Sequence, residues 1–315
     1  MKRLLILGLA TSVLFTACKK SESVQVQVPA YISDANTFVQ KFGPQKQYHA
    51  MSTSELPKTI TLDNGTKITV PAAAIQMNGN YIAGNLTVEA LEFLKRSDII
   101  LGGVNTNHID GSPIESKGML SIDIIQNDKK ADLALQNLMN VSIPSVNGGY
   151  VKIIGGNANA DGQGQMAWGP QMIDSINSDG SSYSFQTMMI GWLNCGSYFA
   201  HQNSMTTIKA MLTNNPGDMA TGRGQTGHTF AYFCPKGSNV ALQLYGTGSA
   251  NEVSSKVSAV PMNIEGKLVA FSIKDNRFYY SEGTIVSGQK NLEVLNLAET
   301  DVASLINKIK ELNTY

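Results

Sequence analysis

Apolar and polar residues alternate with a period of two along most of this chain, which predicts strands with one buried face. Residues 59–62 and 67–70 read TITL and KITV around Asp63-Asn64-Gly65, and an Asn-Gly pair is the strongest short-range hairpin signal. Leu86, Val88 and Ala90 share one parity, Leu91 and Phe93 the other. That change predicts a β-bulge, since one extra residue flips every later side chain. Leu120, Ile122 and Ile124 alternate with Ser121 and Asp123, and Asn127-Asp128 turns the chain back through residues 132–135. After the turn-rich PSVNGG at 144–149, strand patterns resume at 150–154 and 165–168. Residues 169–182 carry no clear period and are expected to be a loop. Short strand patterns then recur from 183 to 297 with turn residues between most of them.

The two ends take the helical period instead. Residues 33–43 predict a short helix, with Ser33 or Asp34 as cap, Phe38 and Phe42 on one face, and Gly43-Pro44 as the stop. Residues 300–313 place Val302, Leu305, Ile306, Ile309 and Leu312 on one helical face, with Asp301 before and Lys308 and Lys310 late, as the helix dipole prefers. The expected fold is mainly β: two antiparallel β-sandwich-like domains, a short N-terminal helix and a C-terminal amphipathic helix. Residues 33–148 would form the first domain and 149–315 the second.

The amino terminus changes the picture by adding an address. Lys2 and Arg3 precede an apolar run over 4–15, too short to span a bilayer, and Thr16, Ala17 and Cys18 follow. Residues 1–17 therefore read as a signal peptide whose cut leaves Cys18 first, the thiol that would carry diacylglycerol. FTAC resembles the lipobox of bacterial lipoproteins, with Phe15 where leucine is usual. Residues 18–32 read as a tether, and no Asp stands beside Cys18, which by resemblance to lipoprotein sorting favours the outer membrane. The expected partners are the membrane, through the lipid on Cys18, and an envelope protein or glycan.

Charge excludes one class of partner. Twenty-four Lys and Arg balance twenty-four Asp and Glu, and no basic cluster stands out, so nucleic acid is not expected. An oxidising envelope permits the two remaining cysteines, Cys195 and Cys234, to pair; two separate buried thiols are the other reading.

A run of segments carries a family resemblance. GTKITVPAAAI, NLTVEALEFLKRSDIIL, PIESKGMLSIDIIQNDKK, GQMAW and GWLNC, spread over residues 58–200, resemble cell-envelope lipoproteins of Bacteroidota with tandem β-sandwich-like modules. The resemblance implies fold and compartment but no reaction. Gly196 and Ser197 stand where that group has an acidic and a basic residue after the cysteine, so no role of that pair transfers. Asp174-Ser175-Ile176 resembles a short O-glycosylation motif of such bacteria.

Candidate chemistry is sparse. GRGQTG at 222–227 fits G-x-G-x-x-G, but HTFAYF after it reads as a strand, where a dinucleotide site needs a helix. Ser287 and Lys290 fit S-x-x-K, yet Ser287-Gly288 reads as a turn. His49, His108, His201 and His228 lie far apart, and His108-Ile-Asp110 alone makes at most half a metal site. No catalytic residue, metal or cofactor is expected. The functional expectation is a non-catalytic binding or assembly module, with Trp168, Trp192, Tyr198 and Tyr279 as candidate binding aromatics beside Phe199 and Tyr280. The alternative is an envelope hydrolase built from distant residues such as His201, His228 and nearby carboxylates.

Overall fold

The computed structural model describes residues 31–144, 149–157, 166–200, 203–220, 227–249 and 251–315. Its strands build stacked layers, and the protein is mainly β with three short helices, as the period-two patterning predicts. The largest sheet runs in the order Ala167–Asn177, Tyr150–Asn157, Gly191–Tyr198, Ile114–Gln126, then Asn85–Phe93 and Gln47–Ser52, all antiparallel. A four-stranded sheet, Ser182–Thr187, Met139–Pro144, Lys67–Val70 and Lys58–Thr61, covers one face of it. Ile68, Val88, Ile122, Val141 and Tyr183 fill the core between them.

The carboxyl-terminal part repeats the plan. A five-stranded sheet centred on Thr229–Pro235, Glu265–Lys274 and Arg277–Val286 packs on a four-stranded one. In the latter, Lys209–Thr213 pairs antiparallel with Glu252–Ser254 and parallel with Leu292–Asn296. Both faces of Thr229–Pro235 are buried. Ala231 and Phe233 enter the core of this second sandwich, whereas Phe230, Tyr232 and Cys234 point the other way.

That other way leads to a middle layer shared by both halves. Phe93, Ile114, Met119 and Trp168 from the largest sheet meet Phe230, Tyr232, Phe271 and Phe278 from the five-stranded one. Three helices fill the layer: α1 (Ala35–Phe42), α2 (Arg96–Leu101) and α3 (Val302–Glu311). Asp34 caps α1, accepting the Thr37 N–H at 2.8 Å, and Phe38 packs 5.9 Å from Phe271 and 6.3 Å from Phe278. Asp301 caps α3, which buries Leu305 and Ile309 as its apolar stripe predicts.

Five expectations need correction. The division expected at 148/149 falls inside the first sandwich, because the strands over 150–198 complete its sheets; the chain enters the second sandwich only after Tyr198. The tether expected over 18–32 overlaps the folded body, since Ile32 is buried in the middle layer and its carbonyl accepts the Asn276 N–H at 2.8 Å. The bulge expected within Asn85–Phe93 is absent: the strand keeps one register against Ile114–Gln126. Its parity changes because its second half is covered on both faces, with Ala90 in the first sandwich and Leu91 and Phe93 in the middle layer. Residues 169–182 contain strand to Asn177, whose pairing shifts register repeatedly and so erases the period. Helix α2, six residues long, lies in a segment for which the patterning predicts no element.

Candidate functional site

The segment at residues 104–113, NTNHIDGSP at its centre, reads as a solvated turn, yet it is the strut that joins the halves. Asn105, Thr106 and Asn107 are buried. Thr106 N–H donates to the Ala241 carbonyl at 2.9 Å, and Asn107 exchanges two bonds with the Gln243 backbone at 2.8 and 2.9 Å. The Asn105 amide reaches the Met166 carbonyl, Gln243 Oε1 and the Tyr245 hydroxyl. Buried polar groups must be paired, and here the bonds to Ala241, Gln243 and Tyr245 span the seam.

At the outer end of this strut stands a chemically suggestive cluster. His108 Nδ1 lies 2.9 Å from Asp110 Oδ1, and Tyr198 Oη lies 3.0 Å from His108 Nε2. The rings of His108 and Tyr198 meet edge to face, 5.0 Å apart. In the tautomer with its proton on Nδ1, that nitrogen donates to Asp110 and Nε2 accepts from the phenol. Partial burial pushes the Asp110 carboxyl upward, but bonds from the Ser112 N–H and from His108 outweigh it and hold it below the ordinary carboxylate range. Burial, aided by Asp110, pushes the Tyr198 phenol up, so it stays protonated and donates. Lys256 Nζ closes the same loop on the Ile109 carbonyl at 2.7 Å. Gly111, with φ of +95°, leaves room for that lysine, since a Cβ would stand 2.5 Å from Lys256 Cβ.

The array is a proton relay in form, and its members also fasten the loop. The Asp110 carboxyl titrates lower in the folded than in the unfolded chain, so its contribution is full above the unfolded value and is lost as pH falls through the folded one. Thermal unfolding should therefore show Asp110→Asn less stable than wild type near neutrality. The gap should narrow on going from about pH 5 to about pH 3, where carboxylates take up protons.

The residues singled out in the sequence scatter. Cys18, His201 and most of GRGQTG lie outside the described residues. Trp168 is wholly buried, and its indole Nε1–H donates to the Asn105 carbonyl at 2.7 Å. Trp192 is half-buried and meets Trp168 edge to face at 6.4 Å. Tyr198 belongs to the relay. Tyr279 and Phe199 pack against the second sandwich core, and Tyr280 is buried with its hydroxyl on Glu282. The expected aromatic binding surface is therefore core and seam. His228 stands half-buried near Asp34 and against Gly217. Ser287 is buried, bonded to the Pro261 carbonyl, while Lys290 pairs with Glu293.

Nor do the cysteines pair. Cys195 points into the first sandwich core and Cys234 into the middle layer, and both are free. Burial pushes their thiols up, to about 12 and about 11. Alkylation of the native protein should therefore leave both unmodified, with full labelling on denaturation, and reductant should not move the melting temperature. Among the described residues, no three His, Cys, Asp or Glu side chains converge as metal ligands.

One surface remains that is built, regular and open. The four-stranded sheet turns two in-register rows of polar side chains outward: Thr59, Thr69, Asn140 and Gln186, then Thr61, Lys67, Ser142 and Ser184. A shallow depression of about 400 Å³ lies over them. Thr59 and Thr69 hydroxyls bond at 2.7 Å and Ser184 to Ser142 at 3.1 Å, whereas Lys67, Asn140 and Gln186 make no side-chain bond to another described residue. A larger open groove, about 580 Å³, lies at the end of the largest sheet, lined by the ends of Gln47–Ser52, Asn85–Phe93 and Ile114–Gln126 with the Asn127-Asp128 turn, and Glu55 there is already engaged by Lys58. The fold and this surface define a double β-sandwich protein with a polar sheet face. No family model, curated protein or solved structure matches the chain.

Proposed function

We propose that the protein is a lipid-anchored, non-catalytic binding module of the bacterial cell envelope, seated on the outer membrane through Cys18. The leader pattern ending in Cys18 supports the anchor. The observation that carries the binding role is the pair of in-register polar rows, because their partner-free amides and lysine are fixed on strands rather than on loops. Beneath them Ile68, Val141 and Tyr183 are wholly buried, so the face is preorganised and ordering it costs little on binding.

Two measurements test this. Growth with an alkyne-tagged fatty acid should label the wild type and not Cys18→Ala. Co-sedimentation of the full-length protein in detergent with purified envelope polysaccharide should weaken at least about tenfold in Ser142→Trp, which fills the centre of the face. Unchanged binding by a folded Ser142→Trp would remove the face from the proposal. The Asp110–His108–Tyr198 relay is what favours an envelope hydrolase instead. That reading requires His108→Ala to lose turnover of envelope substrates while keeping its fold; ours requires only lower stability.

A further inference from the structure

We infer that the outer face of the four-stranded sheet takes an acidic polysaccharide, laid across the strands with a carboxylate on Lys67. The inference rests on the binding role just proposed and names the ligand for it. Adjacent strands lie about 4.8 Å apart, so each row of four side chains offers a polar group at that interval over about 14 Å. Successive rings of an extended glycan repeat on a similar scale, so consecutive sugars can each meet a new strand.

The chemistry of the rows fits sugar hydroxyls. Thr59, Thr69, Ser142 and Ser184 can each donate and accept, and the amides of Asn140 and Gln186 supply a donor and an acceptor apiece. Lys67 supplies the charge preference. It is exposed, it is the one charged residue in the two rows, and no acid pairs with it. Among the described residues eight lysines form ion pairs, Lys130 with Asp123 and Lys209 with Glu252 among them; Lys67 is one of those that do not, and the one that stands in the two rows. An unpaired cation amid neutral hydrogen-bonding groups complements a polymer with spaced carboxylates. It does not suit nucleic acid or an anionic membrane surface, which call for clustered basic residues.

The test is titration of the full-length protein in detergent with trigalacturonate, using the fully methyl-esterified trisaccharide as neutral partner, read by calorimetry and by backbone amide shifts. The acid should bind more tightly than the ester, with shifts confined to the four strands and their turns. Lys67→Gln should lose about tenfold for the acid alone, Lys67→Arg should retain it, and Asn140→Ala should weaken both sugars. Equal binding of acid and ester, or no loss in Lys67→Gln, overturns the acidic ligand and leaves the binding face standing. If neither sugar perturbs the face, the glycan inference falls; if Ser142→Trp also keeps full envelope binding, the binding face falls with it.

Discussion

Replacing Arg96 by alanine is expected to cost about 3 kcal/mol or more of folding stability. Arg96 opens α2, yet its guanidinium is buried with no carboxylate beside it. Nη1 donates to the Leu312 carbonyl at 2.9 Å; Nη2 donates to the Pro235 carbonyl at 2.7 Å and also to that of Ser238. Three carbonyls thus take the place of a counter-ion. The Leu312 carbonyl closes α3, where the helix dipole is negative, so the cation is favoured there. Burial lowers the guanidinium's proton affinity, but arginine starts so high that it stays charged. Alanine would strand the Leu312 and Ser238 carbonyls and leave the Pro235 carbonyl only the Ser238 hydroxyl at 3.2 Å. Lysine is not a remedy, because one ammonium cannot reproduce a planar fork aimed at three carbonyls. Neighbouring bonds share the load: Asn313 and Ser97 exchange two bonds of 2.9 Å, and Gly237 N–H donates to the Tyr315 carbonyl. Chemical denaturation should show the loss. Hydrogen exchange should show it first in α3 and around residues 235–238; a variant as stable as wild type would refute this account.

What the sequence discloses about this protein is set by the range of each signal. The Asn64-Gly65 hairpin, the Asn127-Asp128 turn and the stripe of α3 are local, and each forms where its residues imply. The strut at 104–113 and Arg96 are illegible for a physical reason: their partners lie about sixty to more than two hundred residues away, in 166–198, 235–245 and 312. A polar residue whose partner is distant has the same local signature as a solvated one. Trp168 shows the same limit for aromatics, since a ring that fills a core and a ring that binds a sugar look alike in sequence. Glu92 is a smaller case. Buried at the end of its strand, it accepts the Asn64 and Thr66 N–H groups and so fixes the hairpin from outside. The polar rows were invisible for another reason. Thr59, Thr69, Asn140 and Gln186 become a surface only once three register pairings align them.

Trp168→Ala should cost about 3–5 kcal/mol, the range for emptying a large aromatic site in a packed core. The indole is wholly buried, and a β-carbon on Gly156 would come within 2.7 Å of its ring. Its backbone binds the strut on both sides: its N–H donates to the Asn107 carbonyl at 2.9 Å, and its carbonyl accepts the Ile109 N–H at 2.8 Å. Removing the ring opens a cavity beside these bonds and also frees the Asn105 carbonyl from its partner. Trp168→Phe separates the two effects. It retains much of the volume but deletes the Nε1–H donor, so a loss of about 1–3 kcal/mol is expected from the stranded carbonyl. Because the middle layer is common to both sandwiches, each variant should unfold in one transition at lower denaturant, not in two. The same pair of variants decides what the aromatic is for. If Trp168 served a ligand, Trp168→Phe would reduce binding of envelope polysaccharide with little change in stability. A core residue under the strut predicts the reverse: stability falls, and binding at the distant four-stranded face is unchanged wherever the variant is folded.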